Sequence, residues 1–422
     1  MTPSPEPIVS STQSVAVLGK RHLVSKILIG CGLVILLLIL FLFLAPRFLG
    51  YVYTDTAVVD DSDLLLPVLT IAGDQNAFAD LQNAGTALYK VKSATSTVNE
   101  KETATTQVLT SLRAAAQKPF YQDPHTVNPS RLTITTDLPP LNQFRNAAQF
   151  NAIYAENLAA TGKQKDALTQ ALTDVSIGNK MIDSRSPLLE WLVGLSVQNI
   201  GLNAIQNIAT SSAPSSKDLV ATARVLNLYQ GTDSGLVNVF KLEYMSLSKG
   251  SMLNADPNFY WHPNETRGYF ITNARQQIEL ANKSCSTFSD STALKGRYVP
   301  SNPVMRFFTP NIIGMTLYDL VSISGINVKG KECDTQTLLN ATQLILGLTA
   351  YQEDHHQLPV ALTDLVPTYL LVLPPDPYSG KPFIYDQKRS LFYSVGRTHT
   401  DIGGNPYSKN DPVPNPTFIL NP

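Results

Sequence analysis

Ser246 and Lys249 stand in the Ser-x-x-Lys arrangement, in which a lysine amine can take the proton of a serine nucleophile. The Ser-Asp-Asn and Lys-Thr-Gly elements that complete such a site are absent, and a four-residue pattern recurs by chance. Asp354, His355 and His356 form a second cluster with metal-binding side chains. Adjacent histidines point in different directions, whereas ligands on one helix favour i, i+4 spacing, so these read as surface residues. The chain has no Gly-x-Ser-x-Gly, no phosphate-binding glycine loop and no His-Glu-x-x-His. Nothing here assembles a catalytic set, and no enzyme is expected.

The elements that must position these residues begin with an apolar run. Ile27 to Ala45 is apolar or glycine without a break, with Leu36 at its middle and Phe43 near its end. Nineteen helical residues span roughly 28 Å, close to the hydrocarbon thickness of a bilayer. Lys20, Arg21 and Lys26 precede the run and only Arg47 lies close behind it. The positive-inside rule then keeps the N-terminus cytoplasmic and exports the chain beyond Arg47. No A-x-A site comes after the run, so a permanent anchor is expected rather than a cleaved signal. Leu28-Ile29-Gly30-Cys31 matches a lipidation motif, but its apolar stretch lies after the cysteine instead of before it.

Charged residues are 15% of the 422, and the net charge is -1. Nucleic acid binding needs clustered Lys and Arg, and none is expected here. With Cys31 in the anchor, Cys285 and Cys333 remain, each beside polar sequence. An exported pair is permitted to oxidise, and a disulfide is expected, although spacing alone leaves two free thiols open.

The chain divides into five regions: a cytoplasmic tail (1–26), an anchor (27–46), a helical extracytoplasmic domain (47–284), an irregular connection with one short helix (285–331) and a C-terminal module (332–422). In the helical domain, two helical patterns flank Thr161-Gly162, with Gly162 as terminator. Ala155, Gly162 and Ala167 have the spacing of small residues in a tetratricopeptide hairpin, and residues 141–182 resemble one degenerate unit of that family. Asp174 and Asn179 stand where the repeat has Ala and Pro, and there is no second copy. Pro187 opens a strongly apolar helix over "LLEWLVGLSVQNIGLNAIQNI".

In the last region Leu338, Leu339, Leu344, Leu348 and Tyr351 mark an amphipathic helix that must end before Pro359. A short helix over "ALTDLVPTYL" leads to a Pro-Pro-Asp-Pro turn. Phe383 and Tyr385, then Phe392, Tyr393 and Val395, mark two strands around a charged turn. Tyr351, Pro359, Leu362, Leu365, Val366 and Pro367, then Leu373, Pro374, Asp376, Pro377, Gly380, Pro382 and Tyr385, and finally Tyr393, Ser394 and Gly396 keep one order. That order resembles the head of the major pseudopilin of type II secretion systems, over about a fifth of the chain. The resemblance implies a helix on a small antiparallel sheet and a bacterial source. It also implies calcium in the loop after the last shared strand, where Asp401, Asn405 and Asp411 offer oxygen donors. The family's acidic residue after Ser-x-Gly is missing, with Arg397 in that region, and no processing site precedes Ile27. Filament assembly is therefore not expected.

The fold expected is mainly α: a single transmembrane helix, a helical domain and a small α+β pseudopilin-like module. The function expected is a single-pass inner-membrane protein of the bacterial envelope that binds or scaffolds other envelope components, with no cofactor unless calcium. The rival is an envelope hydrolase whose site is assembled from scattered residues. Convergent titratable groups in a cleft would favour the hydrolase; a groove of apolar and amide side chains would favour binding.

Overall fold

The computed structural model describes residues 26–42, 44–45, 54–133, 136–229, 234–248, 251–288, 299–321, 325–404 and 415–420. Phe43, Lys249, Asn405 and Asp411 lie outside them. The protein is mainly helical, with one small sheet. Helix α1 (Lys26–Leu42) exposes every side chain, Ile27 and Leu36 included, while Ala45 just beyond it is buried. Next come α2 (Phe78–Lys92), α3 (Val98–Gln117), α4 (Leu141–Ala160), α5 (Gln164–Asp183), α6 (Leu188–Ser211), α7 (Ser216–Leu226) and α8 (Ser234–Ser248). Helices α9 (Pro263–Ala281), α10 (Pro303–Phe307), α11 (Ile312–Val321) and α12 (Gly325–His355) precede strands β1 (Ile384–Asp386), β2 (Leu391–Tyr393) and β3 (Thr417–Ile419).

Two compact units result: described residues within 1–58, 254–266 and 297–320 form the first, and those within 59–253, 267–296 and 321–422 the second. In the first unit, the Asp55 carboxyl caps the start of α9 by accepting from the N–H groups of Asn264 and Glu265, at 2.7 and 3.1 Å. Asn311 ties this start to α11: its N–H donates to the Phe259 carbonyl, and its Oδ1 accepts from His262 N–H at 2.9 Å. Such side-chain acceptors satisfy helix N–H groups that have no partner inside the helix.

In the second unit, Thr97 and Glu100 form a reciprocal capping box at the start of α3. The α4–α5 hairpin closes at Gly162, whose φ of 82° is left-handed. Gly162 N–H donates to Ala159 O and Lys163 N–H to Leu158 O, both at 3.0 Å, which is a Schellman closure. Asp174, where the repeat pattern has alanine, is fully buried on α5, and neither carboxyl oxygen has a hydrogen bond of ordinary geometry among the described residues. Burial pushes its pKa well up, and the neighbouring Asn151 offsets this only in part.

Helices α5 and α6 approach closely because glycines line their contact. A Cβ at Gly194 would meet Met181 Cβ at 2.8 Å, and one at Gly201 would meet the Val175 backbone nitrogen at 2.8 Å. One core joins Ala155, Leu168, Leu202 and Ile205 to Leu344, Leu348, Phe383 and Phe392. Helix α12 is therefore buried on more than the one face expected of it: Leu344, Ile345, Leu346 and Leu348 are all buried. The α6 residue Gln206 donates to α12 Thr342 at 2.8 Å.

Four expectations for the C-terminal region change. The boundary at 331/332 falls inside α12, which starts at Gly325, and residues 285–331 hold α10 and α11 rather than one short helix. The short helix expected near 361–370 is a single 3-10 turn, Leu362–Leu365. The sheet has a third strand: β2 pairs antiparallel with β1 and with β3, in the order β1-β2-β3. Cys285 and Cys333 are disulfide-bonded, with Cα atoms 5.6 Å apart and a sequence separation of 48.

Among the described residues, α6 is the helix with the length and apolar composition to cross a membrane, although 56% of its most apolar stretch is buried inside the protein. α1 is apolar too but shorter, at 17 described residues.

Candidate functional site

Within the second unit, the start of α6, one face of α8 and the chain from Asp123 to Leu138 enclose a cavity of about 340 Å³. Its wall is mainly Leu132, Leu138, Leu188, Leu189, Leu242 and Leu247, with Asp123, His125 and Glu243 among its polar groups. Mostly apolar walls with a few convergent polar groups are the usual construction of a small-molecule site.

Pro187 precedes the first turn of α6, leaving N–H groups there without intrahelical partners. Glu243 of α8 accepts from one of them, Leu188 N–H, at 2.8 Å. Burial raises the Glu243 pKa, and this hydrogen bond opposes the rise. Behind the wall lies Glu190, fully buried, the one charged residue of α6. Tyr121 donates its hydroxyl proton to Glu190 Oε2 at 3.1 Å. Oε1 makes no hydrogen bond of ordinary geometry among the described residues. Burial, then the adjacent Asp123 carboxyl, push the Glu190 pKa up to about 9, against lowering by Tyr121 and Ser186. Glu190 therefore carries a proton at neutral pH.

Asp123 joins this buried acid to the cavity. Its Oδ1 accepts from His125 N–H at 2.9 Å and lies 2.8 Å from His125 Nδ1. The His125 side chain is half exposed, whereas that of Asp123 is buried. The order Tyr121, Glu190, Asp123, His125 runs from the interior to the cavity wall. Such an arrangement can orient an imidazole and hold or move a proton at its ring.

Ser246 lines this same cavity, donating its hydroxyl proton to the Glu243 carbonyl at 2.8 Å. Tyr121 also borders a second cavity of about 540 Å³ with Lys180. Burial lowers the Lys180 pKa to about 8, and its ammonium donates to Ala116 O and Ser176 Oγ, both at 2.6 Å.

The other candidates from the sequence are dispersed. Asp354 accepts from the Tyr369 hydroxyl at 2.9 Å, and His355 stacks on Tyr351 with ring centroids 4.1 Å apart. His356 takes a left-handed φ of 57° at the end of α12 and borders a different cavity. Asp401 Oδ1 accepts from Tyr393 at 3.0 Å and from Gly403 N–H at 2.8 Å. The Arg389 guanidinium donates to the next carbonyls, Gly403 O and Gly404 O, at 2.8 and 3.0 Å. A cation of the chain thus occupies carbonyls that calcium could use. Among the described residues, no three His, Cys, Asp or Glu side chains group to hold a metal ion.

In the C-terminal region, Asp376 is a structural hub. It accepts from Ser394 Oγ at 2.6 Å, Tyr378 N–H at 3.1 Å and Val395 N–H at 3.2 Å. These bonds hold the proline turn to the end of β2. Tyr378 in turn donates to Asp334 on α12 at 2.6 Å.

Glu190, Asp123, His125 and Tyr121 sit in no motif, and sequence reasoning alone passes over them. One signal was available: a lone carboxylate in an otherwise uncharged apolar helix is costly unless the site needs it. Comparison with protein-family models, with curated proteins and with solved structures finds no match.

Proposed function

We propose that this is a single-pass, membrane-anchored extracytoplasmic binding protein of the bacterial envelope, with α1 as its anchor and the leucine-lined cavity as its ligand site. The uniform exposure of α1 side chains suits lipid contact on all faces. Its basic flank at Lys20 to Lys26 favours a cytoplasmic N-terminus, and the Cys285–Cys333 bond suits an oxidising compartment. The head-like tail is read as a docking module without a part in filament assembly. The observation that carries the binding reading is the cavity wall, six leucines against a few carboxyls. Such a wall fits a small molecule with an apolar body and a hydrogen-bond-donating or cationic head.

Isothermal titration of the full chain in nanodiscs with hexylamine and with hexanoate tests this. Saturable heat with the amine, weakened by Glu243→Gln, supports the reading. No saturable heat with either probe overturns it.

A second reading has its own observation: His125, oriented by Asp123, and Ser246 border one cavity. In a hydrolase, His125 would take the Ser246 proton as the serine oxygen attacks an acyl carbon, return it to the leaving group as the acyl bond to that group breaks, and then activate a water that hydrolyses the acyl-serine. A fluorophosphonate probe that labels Ser246 in the native chain but not in His125→Ala would favour this reading; no labelling would remove it.

A further inference from the structure

The first unit carries an apolar surface that no packing inside it explains. Val304, Met305, Phe307 and Phe308 on and after α10 are 66, 62, 38 and 45% exposed, and Ile313 and Leu320 on α11 are 44 and 81% exposed. On α11 the pattern is one-sided. Ile313, Thr316 and Leu320 keep i, i+3, i+7 spacing and face outward, whereas Gly314 and Tyr318 are buried on the other side. The buried side is held firmly. Gly314 sits so close to Thr266 and Asn311 that a Cβ there would collide with both side chains. Asn311 and Ile313 N–H groups donate to Phe259 O and Tyr260 O at 2.9 and 3.0 Å. The outward apolar face is therefore fixed in direction rather than free to turn inward.

The same network leads back to the anchor. Asp55 binds the Asn264 and Glu265 N–H groups, and Thr266 Oγ1 donates to Asn311 Oδ1 at 3.1 Å. Ala45 and Asp55 are ten positions apart, a stretch that fully extended spans at most roughly 35 Å. The apolar face thus belongs to a unit tethered within a short chain length of the end of α1.

We propose that residues 303–320 rest on the bilayer surface as a second, interfacial membrane contact, with lipid as the occupant of the α10–α11 face. This rests on the reading of α1 as a membrane anchor. The side chains suit the headgroup boundary. Aromatic Phe307 and Phe308 pack edge to face at 5.2 Å, aliphatic chains flank them, and Arg306 supplies a cation for anionic headgroups. Lipid rather than protein is the choice because the anchor delivers this face to a membrane whether or not any partner is present.

The test uses the full chain in vesicles of phosphatidylethanolamine and phosphatidylglycerol, with the native disulfide intact. Single cysteines at Met305→Cys and Leu320→Cys, in a Cys31→Ala background, carry an environment-sensitive fluorophore. A blue-shifted emission, quenched by brominated lipid relative to ordinary lipid, is expected at both positions. A separate sample labelled at native Cys31 reports the anchor by the same quenching. Quenching at Cys31 with water-like, unquenched emission at 305 and 320 overturns the surface contact alone and leaves that face to a protein or a second copy. An unquenched Cys31 overturns the anchor, and the labels at 305 and 320 then decide the surface contact by themselves.

Discussion

Helices α1 and α6 are both apolar, and composition alone would send either across a membrane. They differ in where polar groups and glycines fall. In α1 the glycines, Gly30 and Gly32, have nothing within 4 Å of a Cβ position, and every described side chain is exposed. In α6 the glycines Gly194 and Gly201 lie against α5, and Glu190 and Gln198 are buried among protein partners. A membrane span needs only uniform apolarity, because lipid has no shape to match. A core helix needs apolarity arranged around specific contacts. The distinction lies in the pattern of exceptions, not in the mean.

Charge placement should separate the two helices most strongly. Ile205 on α6 is fully buried, so Ile205→Asp puts a carboxylate in a dry core and is expected to cost more than about 4 kcal/mol. Leu36→Asp on α1 should leave thermal unfolding unchanged while weakening membrane retention, by roughly 3 kcal/mol at the centre of a span. Thermal melts and membrane fractionation of both variants check the pair.

Cysteine replacement should divide the same way. Breaking the Cys285–Cys333 bond releases a loop whose ends have a sequence separation of 48. Loss of about 4 kcal/mol is expected in the chain-entropy model for Cys333→Ser with Cys285→Ser. Cys31→Ser on α1 should change nothing. Denaturant unfolding midpoints of the two variants read this out.

Glu190 gives α6 a pH dependence that α1 lacks. Its folded pKa of about 9 lies above its ordinary 4.5, so the folded state keeps a proton that the unfolded chain releases. This contribution is complete below about pH 4.5 and is lost as pH rises toward 9, by up to about 1.4 kcal/mol per pH unit. Glu190→Gln mimics the protonated acid and should flatten that slope, making the variant the more stable protein at pH 8. Unfolding curves from pH 5 to 9 would show parallel behaviour of the two proteins if Glu190 were ionised in the fold.

The smallest effect concerns the hairpin that precedes α6. Gly162→Ala forces a side chain into a left-handed φ and should cost about 1 kcal/mol, visible as a small drop in melting temperature.

Local features of the fold were legible in sequence because local chemistry decides them. Gly162 ends a helix where the pattern places it, and Pro187 opens α6. The early start of α12 was not legible, since residues from Gly325 to Lys331 look polar. Lys329 is nonetheless buried there, its ammonium held by Ala281 O at 2.9 Å and Glu332 at 2.5 Å. Strand β3 is hidden for the same reason: three residues pair with β2 from a distant stretch of the sequence, and no local period announces them. The cavity draws Asp123, Leu188 and Glu243 from three distant stretches, so no spacing rule could join them. Ser246 stands out in sequence for a lysine partner, whereas the structure gives it a cavity with His125.

We propose that α1 spans the membrane and α6 does not. The measurement that tests it most directly is a pair of reporters fused after Pro422 in bacteria, alkaline phosphatase for the exported side and a fluorescent protein for the cytoplasm. One span from a cytoplasmic N-terminus leaves the C-terminus outside, so phosphatase activity without fluorescence is predicted. If α6 crossed as well, the chain would return to the cytoplasm, and fluorescence without phosphatase activity would overturn the single-span topology.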